Sequence, residues 1–152
     1  MEVFRLSREK YVQPLSGKGA ATKGARWNST GVELIYTAAN RSLAMAEVAV
    51  HLTLATIPAD YVMVTIFLPD DISIQTLTES NLPRNWNAFP HPSSTQATGD
   101  KFIADNNYCV LKIPSVVTRG EYNLLINPHH ADFSKIRIIA IEKFPFDMRI
   151  FK

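Results

Sequence analysis

Hydrophobic residues in this chain fall mostly into short runs separated by polar, proline- and glycine-rich stretches. "EVFRL" (2–6), "VELIYTA" (32–38) and "YVMVTIFLP" (61–69) read as strands, the last rich in β-branched and aromatic residues. "ISIQTL" (72–77) alternates with period two, and "YCVLKIP" (108–114) reads as a further strand. "SVVTRGEYNLLINP" (115–128) reads as a loop feeding a strand. "KIRIIAIEKFPF" (135–146) reads as a late strand with Ile136, Ile138 and Ala140 on one face. One segment breaks the strand pattern. "SLAMAEVAVHLTLA" (42–55) has helical spacing, with Ser42 as N-cap and Pro58 shortly after its end. It is apolar nearly all round, which predicts burial.

Two stretches lack a hydrophobic period. Residues 13–31 hold four of the six glycines, and residues 80–100 hold Pro83, Pro90 and Pro92 among polar residues. Both read as loops, the second with at most one short helical turn. Long ordered loops in compact domains tend to carry function. No repeat or shift of composition divides the chain. The pattern predicts a single compact α+β domain over 1–152, with mixed strands around a central buried helix.

Composition narrows the function classes. An apolar fraction of 46% with 20% charged residues is that of a globular domain. A net charge of +2, with no basic run denser than Arg5, Arg8 and Lys10, argues against direct nucleic-acid binding. No apolar stretch approaches the roughly 18 residues of a spanning helix. The N-terminus "MEVFRLSREK" has no signal-peptide core, so a cytoplasmic location is expected. The single cysteine, Cys109, sits in an apolar run and reads as a small buried hydrophobe.

Glu47 is the sharpest chemical signal. It shares a helical stripe with Leu43, Val50 and Leu54, and the other faces carry Ala44, Val48, Leu52 and Ala55. A carboxylate buried there unpaired costs several kcal/mol. It therefore meets an internal arginine or faces a cleft, and the sequence leaves both open. Arg26 is the second signal. It stands in "KGARWNSTG" (23–31), where flanking glycines allow close approach of a ligand and the guanidinium fork suits phosphate or carboxylate. It also has the option of pairing with Glu47, and Trp27 beside it can pack beneath the loop. His51, one turn past Glu47, lacks the further ligands a metal needs and reads as a hydrogen-bonded structural residue. "HHAD" (129–132) falls in a loop after Pro128. "GKGAAT" lacks the third glycine of a dinucleotide fingerprint, and "SGKG" is no P-loop. Ser115 lies outside any nucleophile-elbow pattern and reads as a hydrogen-bonding group. Asn127-Pro128 is explained by turn chemistry.

Taken in order, "LSGKGAATKGARWNSTG", "LIYTA", "SLAMAEVAVHL", "LPRNWNAFP" with "TGD", and "IPSVVTRGEYNLLINPHH" resemble the RES domain along nearly the whole chain. The usual Gly-Gly before the arginine is Gly24-Ala25 here. The resemblance implies a fold like that of ADP-ribosyltransferases and the role of toxin in a bacterial toxin–antitoxin pair. It also implies NAD+ as a consumed substrate, with no separate cofactor and no metal. It carries over Arg26, Glu47 and Ser115 as catalytic residues, with Tyr36 and Asn123 as substrate-binding ones. The implied partner is an antitoxin with an Xre-like part that blocks the active site, and a homodimer is compatible with the analogy. On this reading Arg26 meets the pyrophosphate, and Tyr36 stacks on the nicotinamide ring. Glu47 stabilises charge on the ribose, and Ser115 orients the ribose or the carboxamide. An Arg26–Glu47 contact is expected in the empty site. The alternatives are an ADP-ribosyltransferase acting on a protein or nucleic acid, and a non-catalytic binding module.

Overall fold

The computed structural model describes residues 1–151. The strands are β1 (Glu2–Arg8), β2 (Ile35–Ala38), β3 (Tyr61–Phe67), β4 (Ile74–Thr76), β5 (Val110–Pro114), β6 (Tyr122–Ile126) and β7 (Arg137–Lys143). They form one sheet in the order β4-β5-β6-β2-β1-β3-β7. Each neighbouring pair is antiparallel except β4–β5. A parallel pair requires a crossover connection, and here the crossover carries a helix. The helices are α1 (Lys18–Lys23), α2 (Arg41–Ala49) and α3 (Ser93–Asp105).

Alternation along the strands sorts side chains onto two faces. Val3, Ile35, Val64, Ile66, Val110, Leu124 and Ile126 build one core cluster with Leu68 and Cys109. The opposite face is divided. At one end Leu111, Ile113 and Leu125 pack with Trp27, Trp86 and Phe102 of α3. At the other, Leu6, Ala38 and Met63 pack with Leu43 and Ala44 of α2. Two helices thus cover the same face through separate clusters, and a cleft opens where neither fills the sheet.

The strands follow the hydrophobic runs, and the α+β class holds. The helices depart from expectation. α2 starts one residue before Ser42, because the Asn40 side chain accepts from the Leu43 N–H at 2.8 Å and caps the helix. It ends at Ala49, and residues 54–56 form a separate 3-10 turn started by a Thr53–Thr56 capping box. Only Leu43 and Ala44 of α2 are fully buried, and Val50 and Leu54 are 60% and 53% exposed. The helix is therefore a cover on one face of the sheet rather than a central buried rod, because a helix on an open sheet face meets neighbours on one side only.

α3 occupies part of what reads as the second loop. Its buried residues, Thr95, Gly99 and Phe102, keep helical spacing but include only one large apolar side chain. α1 similarly lies inside the first glycine-rich stretch.

Candidate active site

The turn bearing Arg26 is built by short-range bonds. Ala25 and Asn28 form an isolated bridge. Gly24 enters the turn at φ +73°, where an L side chain is strained. Asn28 is fully buried. Its Nδ2 donates to the Ala20 and Val32 carbonyls, each at 3.0 Å, and its Oδ1 accepts from the Tyr36 hydroxyl at 2.6 Å. That hydroxyl in turn accepts from the Trp27 N–H at 3.0 Å. Burial pushes the Tyr36 phenol well above its ordinary value, so it acts as a neutral donor and acceptor.

α3 braces this turn from behind. Gln96 Nε2 donates to the Ala25 and Asn28 carbonyls at 3.1 and 3.2 Å. The Asp100 carboxylate accepts from the Ser29 N–H at 2.9 Å and from its hydroxyl at 2.5 Å. Gly99 lets the helix touch the Trp27 backbone, since a Cβ there would fall 1.6 Å from the Trp27 carbonyl oxygen. Trp27 is buried beneath the turn, as its position in the sequence indicates.

Arg26 projects from the turn into a cleft of about 890 Å3 and lines it together with Tyr36, Glu47, Ser115 and Asn123. All five residues singled out in the sequence thus meet in one cavity. The expected Arg26–Glu47 ion pair is not formed. Arg26 Nη1 donates instead to the Trp86 and Ala88 carbonyls, each at 2.8 Å. Burial lowers the Arg26 pKa from its ordinary value, and the opposing pull of Glu47 acts from beyond contact distance. The physical reason is local. The loop after β4 brings two carbonyls to the guanidinium, and these backbone oxygens take up its Nη1 donors in place of a carboxylate.

Glu47 has neutral partners. Its Oε1 accepts from Ser115 Oγ at 2.8 Å and from Asn123 Nδ2 at 3.0 Å. The Ser115 hydroxyl oxygen accepts in turn from the Val117 and Thr118 N–H groups at 3.1 and 3.0 Å. Ser115 is therefore a hydrogen-bonding relay at the end of β5, and its proton is already directed to Glu47. Glu47 Oε2 makes no hydrogen bond among the described residues. Asn123 sits on β6 opposite Ala38 of β2 and Ile113 of β5, which places it on the cleft face of the sheet. Its Oδ1 is buried without a protein hydrogen-bond partner among the described residues.

The cleft also includes residues that the sequence did not mark as its walls. His51 is exposed and lines it without a side-chain hydrogen bond among the described residues, contrary to the structural role expected. Phe89 and His91 line it from the loop before α3. Phe89 carried a signal only as part of the motif "LPRNWNAFP", and His91 carried none, since nothing in their spacing says which cavity they border. His129 pairs with Glu33 at 3.2 Å, and His130 Nδ1 accepts from the Asp132 N–H at 3.0 Å; neither lines the cleft. Cys109 is fully buried, as expected.

Comparison with known proteins identifies the family. The RES domain matches residues 2–148. A protein of Sphingobium sp. (strain YBL2) named "Prs ADP-ribosylating toxin" is 36% identical over 140 residues, covering 91% of this chain and 87% of the relative. "Toxin Res" of Photorhabdus laumondii is 35% identical and covers 100% of this chain and 98% of the relative. "Toxin Res" of Yersinia enterocolitica is 32% identical with 99% of each covered. Among solved structures, a chain of the M. tuberculosis MbcT–MbcA toxin–antitoxin complex superposes with a TM-score of 0.77 at 20% identity. It covers 94% of this chain and 83% of that one, a likeness of fold. The chain belongs to the RES-domain family.

Proposed function

We propose that this protein is the toxin of a bacterial toxin–antitoxin pair and that it destroys NAD+ by cleaving the nicotinamide–ribose bond. The observation that carries the reading is Glu47. One carboxylate oxygen is fixed by Ser115 and Asn123, and the other is unpaired in a cleft shared with Arg26. A cavity of about 890 Å3 lies in the range of sites for sizeable ligands.

In this reading the bond between ribose C1′ and the nicotinamide ring nitrogen breaks, and its electron pair leaves with the now neutral nicotinamide. Positive charge develops on the ribose, as in glycoside cleavage. Glu47 Oε2 faces that charge or takes a ribose hydroxyl, while Ser115 and Asn123 prevent the carboxylate from turning away. The free Nε and Nη2 donors of Arg26 meet the pyrophosphate. Tyr36, fixed through Asn28 and Trp27, presents its ring edge or face to the nicotinamide. Water captures C1′ and loses a proton, giving ADP-ribose. Inorganic phosphate in its place gives the 1″-phosphate. A solved chain of this fold comes from a toxin–antitoxin complex, which supports an antitoxin as the partner; in this reading that antitoxin has an Xre-like part and acts by filling the cleft mouth.

The test is chromatography of NAD+ products, with and without phosphate. Wild type releases nicotinamide, and Glu47→Ala loses about 100-fold or more of the rate with the fold intact. Undiminished release by Glu47→Ala and Arg26→Ala would refute the residue roles. The name of the 36% identical relative favours a second reading, transfer of ADP-ribose to a macromolecule through the same cleft. Labelled NAD+ in a cell lysate separates the two: a labelled band means transfer, and free ADP-ribose means hydrolysis.

A further inference from the structure

Phe89 is 86% exposed, yet it lines the cleft. A large aromatic ring open to water is easily ascribed to a loose loop, but its mounting is firm. Trp86, three residues earlier, is buried in the core cluster beneath the Arg26 turn. The Trp86 N–H donates to the Pro83 carbonyl and the Ala88 N–H to the Asn85 carbonyl, each at 3.0 Å. The Trp86 and Ala88 carbonyls both accept from Arg26 Nη1. The backbone that carries Phe89 is thus tied on both sides of Asn87, and the ring has no aromatic or cationic partner among the described residues.

The same guanidinium links this loop to the ligand. Arg26 uses Nη1 on the loop, and its Nε and Nη2 make no hydrogen bond among the described residues. An anion bound by those donors lies beside the residue that holds the Ala88 carbonyl, one position before Phe89. If NAD+ is the ligand, its pyrophosphate is that anion, with a riboside on either side. The nicotinamide riboside belongs at Glu47, where charge develops. The adenosine then extends from Arg26 along the loop. A fixed, unpartnered aromatic ring at that place is a stacking surface.

We infer that Phe89 is the stacking platform for the adenine ring, and hence a specificity-determining residue of this cleft. The inference rests on the NAD+ reading for its orientation. It demands only that an adenine nucleotide bind, so it has a test of its own.

The experiment measures binding of adenosine monophosphate by calorimetry to wild type, Phe89→Ala and Phe89→Tyr. Nicotinamide release from NAD+ is measured on the same proteins. Stacking on an aromatic side chain predicts that Phe89→Ala weakens the nucleotide about tenfold and raises the KM for NAD+ by a similar factor. Phe89→Tyr keeps both near wild type, and the melting temperatures stay together because an exposed ring contributes little to the core. Equal nucleotide affinity in wild type and Phe89→Ala overturns the inference, as does failure of wild type to bind the nucleotide. If the affinities differ as expected but no protein releases nicotinamide, Phe89 stands as a base-stacking residue and the NAD+-cleaving function falls.

Discussion

Ser115 shows how much one hydroxyl can decide. It donates to Glu47 and accepts from two backbone N–H groups, and it is itself 4% exposed. Ser115→Ala leaves those N–H groups without their acceptor and Glu47 with one donor fewer. The expected stability loss, read from chemical denaturation, is about 1–3 kcal/mol. NAD+ cleavage should fall further than this explains, by about 10- to 100-fold, because Glu47 is then held by Asn123 alone. A variant as active and as stable as wild type would show that the relay does nothing. The presence of Arg26, Glu47 and Ser115 at one site was legible from the family motifs. Their bonding was not. The sequence allowed Arg26 to pair with Glu47, and only the folded chain brings the Trp86 and Ala88 carbonyls, 60 and 62 residues away in sequence, to the guanidinium.

At the scale of elements, strands were readable and helices less so. A strand covered on both faces is largely apolar, and β3 and β5 are so apart from Thr65 and Lys112. Helix α3 fully buries only Thr95, Gly99 and Phe102, and residue 99 is glycine because the Trp27 backbone lies against it. A small residue carries no hydrophobic signal, so the helix was hidden among polar residues. The start of α2 offers a direct check. Asn40, whose side chain accepts from the Leu43 N–H, is the N-cap. Asn40→Ala should cost about 1 kcal/mol, while Ser42→Ala, inside the first turn, should change the unfolding midpoint very little. The reverse order would restore Ser42 as the cap.

For the whole molecule, Cys109 reports on global opening. It is fully buried, its backbone N–H donates to Ser73 and its carbonyl accepts from the Asn127 N–H. Burial pushes its thiol up to about 11, from an ordinary value of 9.0. Native protein at pH 8 should therefore resist alkylation, and reaction should follow unfolding by denaturant. The native state keeps a proton that the unfolded thiol releases first, so this group's contribution to stability is full below about pH 9 and declines as the pH rises toward 11. Rapid labelling of folded protein at pH 8 would contradict the burial. What the sequence determined by itself is the set of strands, the α+β class and the residue types of the site, because strand alternation and the ordered motifs are local properties of the chain. What only the tertiary structure decided is which groups touch. The brace of α3 on the Arg26 turn, the neutral partners of Glu47 and the exposed ring of Phe89 all depend on segments far apart in sequence. No local spacing encodes the distances between them.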